Sequence, residues 1–289
     1  HGRVAAIYTL KQLAGRDSTS LLLELVEMEG IREHALRALT DRQSEIKTLP
    51  LRTFVDALAD SNPRVRAQAL ICLGRIGNPK AGEAIIPHTL RDENYPMPVG
   101  EPLYKQADPG RVLSHLAIRA LESSNATDAC LNAIEGPYTE GAFWALKYMH
   151  NSEAVDGLIQ RLSTTQNTAV RQAAITTLIR LYHREGEYTG GWWGTRPDLT
   201  GPYYDRQRWE QSDKIAKVLR TTIPELDSES QARIGAQLAK HKVEIEGLQQ
   251  LVVDANKRAE MAPIKIAKAD PNNPDLIANL KADITAYRA

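Results

Sequence analysis

Apolar residues recur along this chain in a short unit whose spacing is that of an α-helix. The unit begins with an Arg or a small polar residue, reaches an Ala three residues later and a bulky apolar residue directly after it, and ends at a Leu three positions further on. It occurs at 3–10, 32–39, 66–73, 114–121, 139–146 and 171–178. Because residues three and four positions apart share one face of a helix, each unit predicts a helix with a narrow apolar stripe.

The units predict an array of helical hairpins. Other apolar runs with helical spacing, such as 51–58 and 155–162, lie between the units and are predicted to form the partner helices. Strand signals are nearly absent, and one hairpin cannot bury its apolar face alone, so neighbours are expected to stack. The sequence predicts an all-α fold, an α-solenoid (α–α superhelix) of at least five stacked hairpins. The Ala of each unit is expected at the close-approach position: Ala6, Ala35, Ala69, Ala117, Ala142 and Ala174.

Two stretches interrupt this rhythm and suggest a division of the chain. Residues 92–110 and 185–209 are rich in turn-forming residues and are not expected to be helical. Amphipathic helices are predicted after the second stretch, at 215–219, 232–238, 243–253 and 274–287. We predict a solenoid over 1–185, a Gly/Trp/Tyr-rich loop over 186–209 and a C-terminal helical extension over 210–289. Helix starts are predicted at the pairs Asn62-Pro63, Asn78-Pro79 and Asn273-Pro274.

Composition excludes several function classes. The 36 basic and 36 acidic residues give a formal net charge of zero, which argues against nucleic acid as the partner. No run of eighteen apolar residues predicts a membrane span. The chain enters a helical pattern at once, without a signal peptide, which suggests a segment of a longer protein.

The sequence has few residues in patterns that are typical of catalysis or of metal binding. Cys72 and Cys130 are not part of a CxxC or CxxCH pattern and lie in apolar helical runs, so buried free thiols are expected, with a disulfide as the alternative. None of the seven histidines has metal-binding spacing, and no nucleophile or phosphate-binding motif occurs. We therefore expect no metal and no cofactor in this segment. Whether it is an enzyme stays uncertain, but the sequence favours a non-catalytic role.

The second interruption is the candidate binding site. Five of the sixteen aromatic residues fall within 18 positions there. The aromatic segment could fold back and fill the solenoid groove with its own rings, or it could be a docking or ligand site, since Trp and Tyr dominate binding hot spots. One of the adjacent Trp192 and Trp193 is expected to be buried and the other to face outward. The candidate binding residues, including a possible ion pair that flanks Pro197, are Trp192, Trp193, Arg196, Asp198, Tyr203, Tyr204 and Trp209.

Residues 60–81, DSNPRVRAQALICLGRIGNPKA, resemble a HEAT repeat of the phycobilisome-lyase-like type. This resemblance extends over about the first 185 residues. It implies that Asp60, before the turn, pairs with the arginines that open the units, Arg32, Arg66 and Arg171. The alternative is that these arginines form a basic ridge, as in the DNA-glycosylase variant of such folds.

A narrower resemblance rests on 188–198, YTGGWWGTRPD, together with 201–204, GPYY, and Trp209. These residues resemble a motif of large exported redox proteins of planctomycetes and verrucomicrobia, in which a dehydrogenase-like β-propeller, a HEAT region and a cytochrome c module share one chain. The tail at 269–277 resembles the stretch before the haem module. The resemblance implies a periplasmic or exported middle segment whose partners are protein domains of the same parent chain, or a protein partner. We expect a non-catalytic scaffold, or alternatively a module that recognises a carbohydrate or peptide through the aromatic segment.

Overall fold

The chain folds almost entirely into α-helices. A computed structural model describes residues 2–99, 106–187 and 205–268, together with residues 277, 278 and 281. Within these residues, the only strands are two of two residues each. The predicted all-α fold of stacked helical hairpins is confirmed.

The chain divides into two compact units, His1–Met149 and His150–Ala289. The helices of unit 1 are α1 Gly2–Ala14, α2 Thr19–Val26, α3 Arg32–Leu39, α4 Leu51–Asp56, α5 Pro63–Ile76, α6 Gly82–Ile85, α7 Val112–Ser123, α8 Thr127–Ala133 and α9 Thr139–Leu146. Those of unit 2 are α10 Ser152–Thr164, α11 Thr168–Leu181, α12 Ser212–Thr222, α13 Ser228–Lys240 and α14 Gln249–Lys268. The division predicted from sequence, at 1–185, 186–209 and 210–289, follows the residue pattern and stays a prediction.

Unit 1 is a stack of hairpins in two rows. In the first row α1 packs on α3, α3 on α5, α5 on α7 and α7 on α9. In the second row α2, α4, α6 and α8 each pack on the first-row helix that follows them in the chain. Within unit 2, α10 packs on α11, α11 on α12 and α13, and α13 on α14.

The repeat alanines lie at the close-approach position in five of the six units. Ala35, Ala69, Ala117, Ala142 and Ala174 are all 0% exposed. Ala6 does not follow this prediction and is exposed. Its helix, α1, instead buries Ile7 and Lys11, and Lys11 donates to Glu45 Oε2 at 2.6 Å. Ala6 is exposed because no described helix packs on its face of α1.

The Asn-Pro starts behave as predicted where the structure describes them. Asn62 Oδ1 accepts from the Arg64 N–H at 3.0 Å at the start of α5. Asn78 makes the same bond to the Lys80 N–H, also at 3.0 Å, but it opens a short 3-10 turn rather than an α-helix. Asn273 lies outside the described residues, as does most of the predicted helix 274–287.

One predicted helix is wrong in part. Residues 243–248 are not helical, and α14 begins only at Gln249. In this stretch Val243, Ile245 and Leu248 are buried while the residues between them are exposed. Positive φ angles of 53° at Lys242 and 88° at Gly247 turn the chain before Val243 and again before Leu248. The apolar residues thus reach the core from a non-helical segment, which the sequence pattern did not distinguish from a helix.

The first interruption, 92–110, is held by one arginine. Arg91 donates to both carboxylate oxygens of Asp108 at 3.2 and 2.9 Å. It also donates to the backbone carbonyls of Asp92, Tyr95 and Pro96 at 2.8–3.2 Å. The described part of the stretch is non-helical up to the short 3-10 turn Pro109–Arg111, and Arg91 ties its two ends together.

Both cysteines are buried free thiols, as predicted. Burial raises the pKa of the Cys130 thiol to about 12 and raises that of Cys72 as well. Since the thiolate is the reactive form, neither cysteine is suited to nucleophilic or redox chemistry at neutral pH.

Candidate functional site

The aromatic segment departs from unit 2 through a short two-stranded neck. β1, His183–Arg184, pairs antiparallel with β2, Gln207–Arg208, with His183 opposite Arg208. One step further out, the Gly186 N–H donates to the Asp205 carbonyl at 2.9 Å. The chain therefore leaves and re-enters unit 2 at the same point, which is the closure expected at the base of an Ω-loop.

The neck requires a glycine at its outer end. A Cβ atom on Gly186 would lie 2.8 Å from the Asp205 carbonyl oxygen and 2.5 Å from its Oδ2. Asp205 itself has a φ of 45°, in the left-handed region. The two strands approach this closely only because Gly186 has no side chain.

Trp209 lies at the inner end of the neck and helps to cap α11. A helix leaves its last carbonyls without intrahelical partners. Here side chains distant in sequence donate to three successive carbonyls, that of the last residue of α11 and those of the two residues after it. The bonds run from Trp209 Nε1 to Leu181 O at 2.7 Å, from Ser212 Oγ to Tyr182 O at 2.7 Å and from His150 Nε2 to His183 O at 2.8 Å.

The indole of Trp209 is a packing anchor. It is 7% exposed and packs edge-to-face on the His150 ring at a centroid distance of 5.5 Å. Its backbone N–H also donates to Ser212 Oγ at 2.9 Å. Of the seven candidate residues, only Trp209 lies in the described part of the chain, and it is buried. Outside the described residues lie Trp192, Trp193, Arg196, Asp198, Tyr203 and Tyr204.

A buried histidine lies at the first strand of the neck. His183 is 7% exposed and packs against the Tyr182 ring at 4.7 Å. Burial and, to a smaller extent, the positive charge of Arg206 lower the pKa of His183 to about 4, while a hydrogen bond to the His241 backbone opposes the shift. His183 is therefore neutral at physiological pH.

Sequence reasoning did not find this histidine group. His150, His183 and His241 come from three separate parts of unit 2, and their sequence spacing matches no motif. Across the described part of the chain, no group of three His, Cys, Asp or Glu side chains is arranged to hold a metal ion. The group supports the neck rather than presenting ligands.

The polar residue that opens each repeat has a common structural role. In five repeats its side chain donates to a backbone carbonyl that precedes the helix, and so caps the turn. The bonds are Arg32 to Val26 O at 2.7 Å, Arg66 to Asp60 O at 2.9 Å, Ser114 to Arg111 O at 3.1 Å, Thr139 to Gly136 O at 2.6 Å and Arg171 to Leu162 O at 2.9 Å.

The repeat arginines also pair with acidic residues further along the chain. Arg32 pairs with Asp60, as the family resemblance implied. Although burial opposes the shift, the Asn62 N–H and the Arg32 guanidinium lower the pKa of Asp60. Arg66 pairs instead with the Asp92 carboxylate at 3.8 Å, and Arg171 pairs with that of Glu225 at 3.4 Å. These arginines are used within the stack, which disfavours the basic-ridge interpretation.

Two surface cavities lie away from the neck. One, of about 550 Å³, is between α13 and α14 and is lined by both acidic and basic side chains, including Asp254, Lys257 and Arg258. The other, of about 210 Å³, is beside α5 and α7 and includes Arg64 and Tyr95 in its lining. Neither cavity collects a set of groups suited to a specific reaction. Among the described helices, none is both long and apolar enough to cross a bilayer.

Comparisons with known proteins give one family match and several distant structural similarities. Residues 29–97 match the family model of HEAT repeats, which covers α3 to α6. Among solved structures, one engineered protein is 15% identical over 97% of this chain and 69% of that chain, with a TM-score of 0.35. A second engineered protein is 16% identical over 92% of this chain and 97% of that chain, with a TM-score of 0.32. The complex of CpcE and CpcF of phycocyanin lyase from Nostoc sp. PCC7120 is 14% identical over 93% of this chain and 94% of that chain, with a TM-score of 0.35.

These structural similarities are too weak to bear on function, and no curated protein matches the sequence. HEAT repeats typically mediate protein interactions. The match over 29–97 and the stacked hairpins therefore indicate a repeat scaffold or interaction role.

Proposed function

We propose that this chain is a non-catalytic scaffold segment of a larger redox protein that is periplasmic or otherwise exported. Its helical units would hold an upstream dehydrogenase-like module and a downstream cytochrome c module in a fixed relation. The segment would carry no cofactor of its own. The HEAT-repeat match supports the scaffold role. The redox parent and its compartment rest on the resemblance of 188–198 and 201–204 to exported proteins of that kind.

The observation that carries the proposal is the closed neck of the aromatic segment. β1 and β2, with the Gly186–Asp205 bond, close the neck at one point of unit 2, and the buried Trp209 anchors the returning strand. An insertion that contains five further aromatic residues, on a firmly held base, suits docking to a protein surface. Trp192 and Trp193 are the proposed contacts, one of them outward-facing.

The test measures binding of the chain to each neighbouring module of the parent protein, expressed separately. We expect Trp192→Ala or Trp193→Ala to weaken the complex by at least about tenfold, or roughly 1.4 kcal/mol. Trp144→Ala, on the 42% exposed Trp of α9, is the matched control and should leave the affinity unchanged. If neither module binds, or if all three variants bind equally, the docking proposal is wrong.

The second candidate is a module that binds a carbohydrate or peptide directly. Five aromatic residues within 18 positions favour it, because such rings stack on sugars and anchor peptides. A glycan and peptide array probed with the chain alone separates the two functions. Specific binding without any partner module, lost in the Trp192 or Trp193 variant, would favour direct recognition.

A further inference from the structure

The first helix of unit 1 is a repeat helix without its partner. α1 contains the complete repeat pattern at 3–10 and packs on α3 as α3 packs on α5. The other four first-row helices of unit 1 are each covered by the second-row helix that precedes them, which is α2, α4, α6 or α8. No described helix covers α1 in this way.

Burial at equivalent repeat positions shows what is missing. The repeat Ala and the Leu four residues later are 0% exposed in all five other repeats: Ala35 and Leu39, Ala69 and Leu73, Ala117 and Leu121, Ala142 and Leu146, Ala174 and Leu178. In α1, Ala6 is exposed and Leu10 is only half-buried.

The uncovered stripe continues one turn further. Leu13 is 84% exposed. Three places after the repeat Leu, Met149 just beyond α9 and Leu181 in α11 are 1% and 0% exposed. The equivalent residues of the α3 and α5 repeats, Arg42 and Ile76, are half-buried. Ala6, Leu10 and Leu13 lie three or four residues apart and so share one face of α1. An apolar face that is buried in the equivalent helices and open here marks an interaction surface.

Arg3 provides an independent observation. The side chains at its position in the other five repeats all donate to a backbone carbonyl that precedes the helix. Arg32 reaches the end of α2 in this way, at Val26 O. Arg3 is exposed and makes no hydrogen bond or ion pair with a described residue. Arg3 thus has a donor group at the position from which the other repeats donate to the preceding turn, but no described carbonyl accepts from it.

We propose that an amphipathic α-helix of the same polypeptide, preceding this chain, packs on Ala6, Leu10 and Leu13. This deepens the proposed function, since it rests on the chain being a segment of a larger protein. The helix runs antiparallel to α1, because Arg3, at the start of α1, then caps its last carbonyls. A short turn joins the two helices, as residues 27–31 join α2 to α3. The occupant is in the same polypeptide because the other hairpins of the stack are closed by helices adjacent in sequence.

The test compares this chain with the same chain extended by the roughly 40 residues encoded before it, the length of about one HEAT repeat. Hydrogen exchange is followed at the amides of 5–14. We expect the extension to slow exchange there by at least about tenfold, since a covered helix opens less often. The matched variants are Leu13→Lys and Leu21→Lys, the second on the 44% exposed Leu of α2. In the extended protein only Leu13→Lys should reverse the protection, and in the short chain neither variant should change exchange.

Three outcomes would overturn the inference. The first is an encoded upstream region without an amphipathic helix, and the second is an extension that leaves exchange at 5–14 unchanged. The third is a concentration-dependent dimer of the short chain that Leu13→Lys dissociates and the extension does not, which would identify a second copy as the occupant. The result is separable from the scaffold proposal, because docking of the redox modules is measured at the aromatic segment and does not depend on Leu13.

Discussion

Removal of the Trp209 indole should destabilise unit 2 more than its place in the sequence, close to a Gly-rich and Pro-rich segment, suggests. The ring is 7% exposed, and its Nε1–H is a donor to the Leu181 carbonyl at 2.7 Å. Trp209→Ala deletes both contributions, and truncation of a buried aromatic costs about 3–5 kcal/mol. Trp209→Phe keeps most of the ring but leaves the carbonyl without this donor, at a cost of about 1–3 kcal/mol.

Since each kcal/mol lowers the melting temperature of a domain of this size by about 4 °C, Trp209→Ala should lower it by about 12–20 °C and Trp209→Phe by about 4–12 °C. The two units could unfold separately, so a thermal melt is paired with hydrogen exchange at 183–186 and 205–208. The control is Trp144→Ala, on a 42% exposed ring of unit 1, which should cost less than about 1 kcal/mol.

The variants at Trp209 and Trp144 separate the packing role of the Trp209 ring from its hydrogen bond to the Leu181 carbonyl. Equal melting temperatures for the Trp209 and Trp144 variants would refute the anchoring role of Trp209. A large loss in Trp209→Ala combined with none in Trp209→Phe would keep the packing role but refute the importance of the carbonyl bond. Unchanged exchange at the neck in Trp209→Ala would show that the strands hold the neck without the indole.

Three further predictions concern pH, packing and cofactors. His183 has a pKa of about 4 in the folded chain and about 6.5 in the unfolded chain. Between these pH values the unfolded chain binds more protons, so the stability of the folded chain falls as the pH falls. Urea titration should show a loss of about 2 kcal/mol from pH 7.5 to pH 5. His183→Gln should flatten that slope, whereas the control His115→Gln, on an exposed histidine, should not. Ala69→Leu should overpack a site that is 0% exposed and cost about 1–3 kcal/mol, whereas Ala6→Leu, on the open face of α1, should cost almost nothing; equal denaturation midpoints would refute the assigned register. The purified chain should be colourless and metal-free, and haem absorbance or bound zinc at one equivalent would contradict this.

The sequence was sufficient for those features that depend on neighbours along the chain. Helices at the repeat units follow from apolar spacing, because one helix face recurs every three to four residues. The starts at Asn62 and Asn78 follow from side chains that bond the backbone two residues further on. α11 also ends at Leu181, shortly before the aromatic segment, whose Gly and Pro content predicts an end to the helical pattern.

The candidate site was predictable only in part. Composition identified 185–209 as unusual, but it did not indicate that Trp209 is an anchor rather than a contact. That role depends on His150, Leu181 and Ser212, which lie 59, 28 and 3 positions away from Trp209. No local pattern encodes which donor reaches which carbonyl across such separations, because the choice is made when the helices pack.

Tertiary structure also decided which residues are buried where the local sequence pattern is the same. Ala6 and Ala69 occupy the same repeat position, yet one is exposed and the other is 0% exposed. Val243, Ile245 and Leu248 are apolar residues that a helix could have presented, but they reach the core from a non-helical segment. In both cases the sequence determined which side chains prefer burial, and only the packed neighbours determined which are buried, because burial depends on what lies across from a side chain rather than beside it in the chain.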